Sequence, residues 1–312
     1  MNRTGLEELI EHRAIIVCCG SGGVGKTTTA AVLGLEAARR GRKAVVVTID
    51  PARRLADALG LQGLPDVPTR IEGPWPGELW ATMLDTKSTF DALVVKYAPD
   101  PDQAERILAN RFYRNISSAL SGTQEYMAME KLYELHEETD FDLVVVDTPP
   151  TRHALDFLDA PRRLSQFLEH RLFRMLTAPG RGVVRAVNVV AQTFLRTVSK
   201  VVGGEVVEDA MAFFQAFEGM EEGFHQRARR VRELLAAPET AFVLVASPQR
   251  DTVEEARFFA DRLREAGITV DGLVVNRVHP AFGGGSAEAA AERATTLAGT
   301  GLGALYANLA DF

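Results

Sequence analysis

The sequence predicts an α/β protein: a mostly parallel sheet with helices on both faces and a helical subdomain inserted into it. Three observations carry that prediction. Near-continuous apolar runs rich in β-branched residues recur along the chain, as strands buried on both faces require. The intervals between them show helical periodicity. One interval, from Asp159 to Pro238, holds far more chain than a single crossover connection needs.

In chain order the apolar runs are "AIIVCC" (14–19), "KAVVVTID" (43–50), "FDLVVVDTPP" (141–150), "AFVLVAS" (241–247) and "DGLVVNRV" (271–278), and a weaker run, "GELWATMLD" (77–85), supplies one more strand. A helix rich in alanine and leucine follows the first run, and a second helical stretch extends roughly from Pro101 to Thr139. Between Asp159 and Pro238 the pattern is helical almost throughout, with a break at "TAPGRG" (177–182). The resulting organisation is a core whose first part is 1–158, with a helical segment at about 98–140. An inserted helical subdomain follows at 159–238, and the second part of the core at 239–312. No internal repeat is visible, and "GGGSAEAAAERA" is the one compositionally biased stretch.

With 312 residues, 46% hydrophobic and 25% charged, the composition is that of a soluble globular protein with room for a sizeable core. A formal net charge of −7 argues against generic binding to nucleic acid by bulk electrostatics, which leaves a local basic face open; no nucleic-acid partner is expected. Cys18 and Cys19 are neighbours on one predicted strand, so their side chains point to opposite faces and an ordinary disulfide between them is geometrically poor. The N-terminus, "MNRTGLEELIEHR", lacks the apolar region of a signal peptide, and the most apolar later stretch, Val183 to Val202, is broken by Arg185, Arg196 and Lys200. A reducing, cytoplasmic location is expected.

Gly20, Ser21, Gly22, Gly23, Val24, Gly25, Lys26 and Thr27 fit the pattern G-x-x-x-x-G-K-[ST], after a predicted strand and at the opening of a helix. With Thr28 they form the candidate phosphate site of a P-loop NTPase fold binding ATP and Mg²⁺. Glycines let backbone N–H groups turn toward phosphates, the helix N-terminus favours anions, Lys26 reaches the β and γ phosphates, and the Thr27 hydroxyl is placed to ligate Mg²⁺. A glycine-rich turn without a nucleotide has no need of lysine and threonine at those offsets. Asp147 ends the run "LVVVD", where such proteins place the carboxylate that holds Mg²⁺, usually through water; a solvated strand-end aspartate is the lesser reading, given Lys26 and Thr27 upstream. Asp50 ends the strand after the P-loop helix. Two roles stand side by side for it: orienting the attacking water, and capping the helix of "ARRLADALG".

Four segments in this order, "GSGGVGKTTTAA", "TIDPARRLADALG", "DTPPTRHALDFLD" and "VVNRVHP", resemble the deviant-Walker ATPases of the ArsA/GET type. The likeness is strongest to ArsA-like ATPases of actinobacterial type, and "LSGTQEYMAMEKL" and "LDAPRRL" strengthen it. The resemblance covers nearly the whole chain. It implies that Asp50 activates water in switch I with Lys26 as the other catalytic residue, and that 147–158 form switch II. It also implies that Asn276 recognises adenine, where spacing alone reads equally as a strand-terminal turn residue, and that Gln249 contacts nucleotide near a dimer interface. The departures are as informative. Ser21 stands where the family carries a first lysine that reaches the partner's phosphates, and Arg152 replaces a common glycine in switch II. Two adjacent cysteines supply neither a C-x-x-C zinc clasp nor converging thiolates for arsenite. "GALYANLADF" ends the chain ahead of the strand and proline-containing loop that cover adenine in relatives.

In 183–202, Val183, Val184, Val187, Val190, Phe194, Val198, Val201 and Val202 recur at helical spacing, opposite Arg185, Asn188, Gln192, Arg196 and Ser199. From His170 to Gly204 there are basic residues and no acidic ones. The segment reads either as a groove for a hydrophobic or helical protein client, with peripheral membrane contact, or as helices packed on their own neighbours. The function expected is an ATP-hydrolysing molecular switch that couples Mg·ATP in a dimer to client binding and release. The dimer is either a homodimer or a heterodimer with a lysine-bearing paralogue. The competing readings are a regulatory pseudo-ATPase that binds nucleotide without turnover, a MinD/ParA-like positioning ATPase, and a metabolic phosphotransferase.

Overall fold

A computed structural model describes residues 5–49, 54–116, 123–149, 220–278 and 286–310, together with 205, 209, 212, 213 and 216. The chain falls into two compact units, Met1–Asn276 and Arg277–Phe312.

The first unit is built on a seven-stranded sheet. In chain order its elements are α1 (Leu6–His12), β1 (Ile15–Gly20), α2 (Lys26–Arg39), β2 (Lys43–Thr48), α3 (Arg54–Ala58), β3 (Thr69–Ile71), β4 (Glu78–Met83), α4 (Thr86–Tyr97), α5 (Pro101–Ala109), α6 (Arg111–Ile116), α7 (Thr123–Glu137), β5 (Leu143–Asp147), α8 (Glu221–Ala236), β6 (Thr240–Ala246), α9 (Arg250–Glu265) and β7 (Val270–Val275). The sheet order is β3-β4-β2-β5-β1-β6-β7, and every pairing is parallel except β3 with β4. The predicted α/β class and mostly parallel sheet are therefore present. Each apolar run forms a strand, including the weak one at 77–85.

The strands at the centre are buried along their whole length, and alternate side chains feed two separate cores. On one face Ile16, Cys18, Val46, Val145 and Val243 pack against α1 and α2; on the other Ile15, Val17, Cys19, Val144, Val146 and Leu244 pack with residues of α4, α5, α7, α8 and α9. Cys18 and Cys19 thus lie in different cores and remain free thiols.

Several features differ from the sequence reading. Helix α4 starts well before the helical stretch expected at 98–140, capped by Asp85, whose carboxylate accepts the Ser88 N–H at 2.6 Å. Strand β3 and helix α1 are additional elements, both short. Strand β7 was expected to be covered on both faces. Among the described residues it is instead an edge strand with Leu273 58% and Val275 49% exposed. Of the expected inserted subdomain at 159–238, only residues 205, 209, 212, 213, 216 and 220–238 are described.

The second unit contains α10 (Ala287–Thr296) and α11 (Gly301–Ala310). Ser286 caps α10 by accepting the Ala289 N–H at 3.1 Å, and the Arg293 guanidinium lies 5.5 Å from the Tyr306 ring centre. No helix among the described residues is long and apolar enough to cross a membrane.

Candidate functional site

Strands β1 and β5 are neighbours from which the chain moves on to opposite sides of the sheet: β1 leads to β2, beyond β5, and β5 leads to β6, beyond β1. Connections that diverge in this way leave a crevice at the C-terminal ends of the strands. The loop 20–25 sits there. At Gly20 an added Cβ would lie 2.1 Å from the Val245 carbonyl oxygen, so only glycine lets the loop leave the sheet this close to β6. Gly25 has φ 97° and caps α2, and a Cβ there would lie 2.2 Å from Nδ2 of Asn276. No side chain caps α2 and its first turn holds no acidic residue. Its leading N–H groups therefore suit an anion, and the positive end of the helix dipole adds to this.

Lys26 is buried, and its Nζ donates to the Ser21 carbonyl at 2.9 Å. The ammonium is thus folded back over its own loop. Ser21 is also buried, 6% exposed, and its Oγ has no hydrogen-bond partner among the described residues. Thr27 is half-buried and Thr28 exposed, both in the first turn of α2. Gly22 and Gly23 form the exposed crest of the loop.

Asp147 closes β5, paired in register with Cys18 of β1 and Thr48 of β2. It is 1% exposed, and its Oδ2 accepts from Thr48 Oγ1 at 3.0 Å. Thr148 Oγ1 donates to the Cys18 carbonyl at 2.7 Å, which holds the chain against β1 as it leaves β5. Burial pushes the Cys19 thiol up to about 12, outweighing the Thr148 hydroxyl and the Lys26 charge that pull it down. Burial, then the Asp147 carboxylate, push Cys18 up as well. Neither thiol is poised for chemistry at neutral pH.

Asn276 follows β7. Its backbone N–H donates to Ala246 and its side-chain Nδ2 donates to the Val24 carbonyl at 2.8 Å. Its amide therefore braces the phosphate loop from the far side. Gln249 is exposed at the N-cap position of α9 and caps nothing with its side chain. The turn before α9 is held instead by Thr252, whose Oγ1 accepts the Ser247 N–H at 3.2 Å.

Gly20 through Thr28, Asp147 and Asn276 are thus gathered around the crevice. Asp50, switch II beyond Pro149 and the 164–202 segment lie outside the described residues. Sequence reasoning missed Thr48, Thr148 and Gln124, whose Nε2 donates to the Ile49 carbonyl at 3.0 Å. A signal existed for the last: Gln124 lies within "LSGTQEYMAMEKL", a segment to which no chemistry was assigned.

The model of one protein family, described as Anion-transporting ATPase, matches residues 13–293. The chain belongs to the ArsA ATPase family. Its relatives in that family are distant. They include a protein of Aquifex aeolicus named "Putative arsenical pump-driving ATPase 1", 23% identical over 287 residues, covering 85% of this chain and 63% of the relative. "ATPase GET3" of Malassezia globosa is 25% identical over 275 residues, covering 88% and 76%. "ATPase ASNA1 homolog 1" of Paramecium tetraurelia is 25% identical over 282 residues, covering 88% and 78%. The chain spans less than two thirds of the Aquifex ArsA-family relative's length.

Proposed function

We propose that this chain is a Mg·ATP-hydrolysing molecular switch whose output is a change of shape rather than a product. The observation that carries the reading is the loop itself. A buried lysine, glycines that admit no Cβ and an uncapped helix start lie beside a buried carboxylate at the end of the neighbouring strand.

That donor set suits a nucleotide with a hard divalent cation. The Thr27 hydroxyl and, through water, the Asp147 carboxylate would hold Mg²⁺. Bound Mg²⁺ neutralises charge on the phosphates. Lys26, released from the Ser21 carbonyl, binds the β and γ phosphates, and the first-turn N–H groups of α2 hold the remaining oxygens. Asp50 orients and deprotonates the attacking water. Asn276 and Gln249 complete the nucleotide site.

The inserted segment 159–238 is the output element, taking a hydrophobic or helical client along 164–202, and the working unit is a dimer in the cytoplasm. The core is assigned to 1–158 and 239–312. A nucleotide-binding subunit without turnover is the second reading, favoured by the uncharged Ser21.

The test is steady-state ATP hydrolysis beside nucleotide binding. Asp50→Asn should keep nucleotide while losing turnover by about 10²- to 10⁴-fold, and Lys26→Ala should weaken binding itself. Turnover unchanged in Asp50→Asn would remove that residue from the reaction. Tight binding without hydrolysis in the parent chain would select the second reading.

A further inference from the structure

Ile49 is the residue between β2 and Asp50, and it is held on both sides. Its N–H donates to the Asp147 carbonyl at 3.1 Å, and its carbonyl accepts from Gln124 Nε2 at 3.0 Å. One neighbour ends the strand that carries the proposed Mg²⁺ ligand. The other stands in the first turn of α7.

Helix α7 is gripped again along its length by α8, the helix that brings the chain back from the inserted segment to β6. Arg227 of α8 donates through Nε to Glu130 Oε2 at 2.7 Å and through Nη1 to Glu138 Oε1 at 3.0 Å, and its guanidinium lies 3.5 Å from the centre of the Tyr133 ring. Glu130 is 1% and Arg227 6% exposed. Burial pushes the Glu130 carboxyl up, and the Arg227 charge opposes that shift.

The two contacts differ greatly in strength. Removing one partner of a buried, hydrogen-bonded ion pair leaves an uncompensated charge, so α7 and α8 stay together. The single neutral bond at Gln124 biases an equilibrium by only about 2- to 10-fold. The Arg227 clamp therefore holds α7 to α8 more firmly than the Gln124 bond holds α7 to Ile49.

We propose that α7 is the mechanical link between the end of β2 and α8, with Gln124 as the positioning residue that sets Ile49, the residue before Asp50 in the chain, according to the state of the returning helix. The meaning of this link rests on the ATPase reading, but its test does not.

Hydrogen exchange of the whole, nucleotide-free chain reads the link directly. Gln124→Ala should raise exchange in the peptide spanning 43–49 by roughly 2- to 10-fold, with little change in melting temperature. Glu130→Gln combined with Arg227→Gln should raise exchange in that same peptide, although neither residue touches it. Adding Gln124→Ala to that pair should produce no further rise, because the path is already broken. Should the paired variant fail to fold, Glu138→Gln, which loosens the more exposed half of the clamp together with the Lys96 contact from α4, is read in its place, with Lys96→Gln as its control.

Unchanged exchange at 43–49 in Gln124→Ala overturns the positioning role. A rise in Gln124→Ala with none in the clamp variants reduces α7 to local packing and overturns the link. In turnover, Gln124→Ala should lower kcat by roughly 2- to 10-fold at unchanged KM. The full exchange pattern in a chain without turnover would sink the ATPase reading and leave the link standing.

Discussion

Cys18 and Cys19 show how one residue step changes an environment. They are neighbours in β1, yet one faces the α1–α2 core and the other the opposite core, and both are fully enclosed. Burial pushes the Cys19 thiol up to about 12. At pH 8 its thiolate is then on the order of 10⁻⁴ of the total, and at pH 10 still about one part in a hundred. Native protein should therefore resist alkylation by iodoacetamide at pH 8 and react at both positions once unfolded. Labelling should not recover as pH rises through 9, where an exposed thiol would already be ionised. Rapid labelling of the native chain at pH 8 would mean that β1 opens far more often than a strand buried at the sheet's centre should.

At the scale of elements, the contact between α2 and the sheet is set by Gly34. A glycine inside a helix ordinarily costs about 1 kcal/mol relative to alanine, so Gly34→Ala invites the expectation of a gain. Here an added Cβ would lie 2.4 Å from Val46 Cγ2 and 3.3 Å from Leu79 Cδ1, both in strands of the closely packed face. Overpacking of that kind costs about 1–3 kcal/mol, and it outweighs the propensity gain. Gly34→Ala should lower stability by about 1 kcal/mol, a fall of roughly 2–4 °C in Tm; a rise would show that α2 shifts outward freely. The strands were legible in the sequence because burial on both faces removes polar alternation and leaves unbroken apolar runs. Helix α4 was legible in principle through Asp85 and Ser88 but was obscured by the strand pattern just before it, and β3, with three residues, is too short to show a period. The loop from Gly20 to Thr28 was legible because its chemistry is local. Thr48 on Asp147 and Gln124 on Ile49 were not, because sheet register and helix packing join residues 99 and 75 positions apart.

At the scale of the whole molecule, a charge is missing where the family resemblance implies one. A lysine at position 21 is expected to reach a partner's phosphates, and a trans cation of that kind contributes a factor of about 10³ or more to phosphoryl transfer. Ser21 carries no charge and is buried, and it is its backbone carbonyl that accepts from Lys26. A lysine at this position would have to leave the buried place that Ser21 takes in order to reach a partner. Two copies of this chain facing each other would lack the trans contribution on both sides. The chain alone should hydrolyse ATP slowly, and turnover should rise by about 10²-fold or more on adding a paralogous subunit whose loop keeps the lysine. Ser21→Lys should recover part of that gain without the paralogue. Turnover measured beside molecular mass in Mg·ATP decides the matter. A stable homodimer that works at full speed and ignores Ser21→Lys would overturn the heterodimer. If its activity were then lost in Arg53→Ala or Arg54→Ala, the trans cation would belong to the segment after Asp50, and the unusual serine would be a neutral exchange in a loop already supplied with charge from elsewhere.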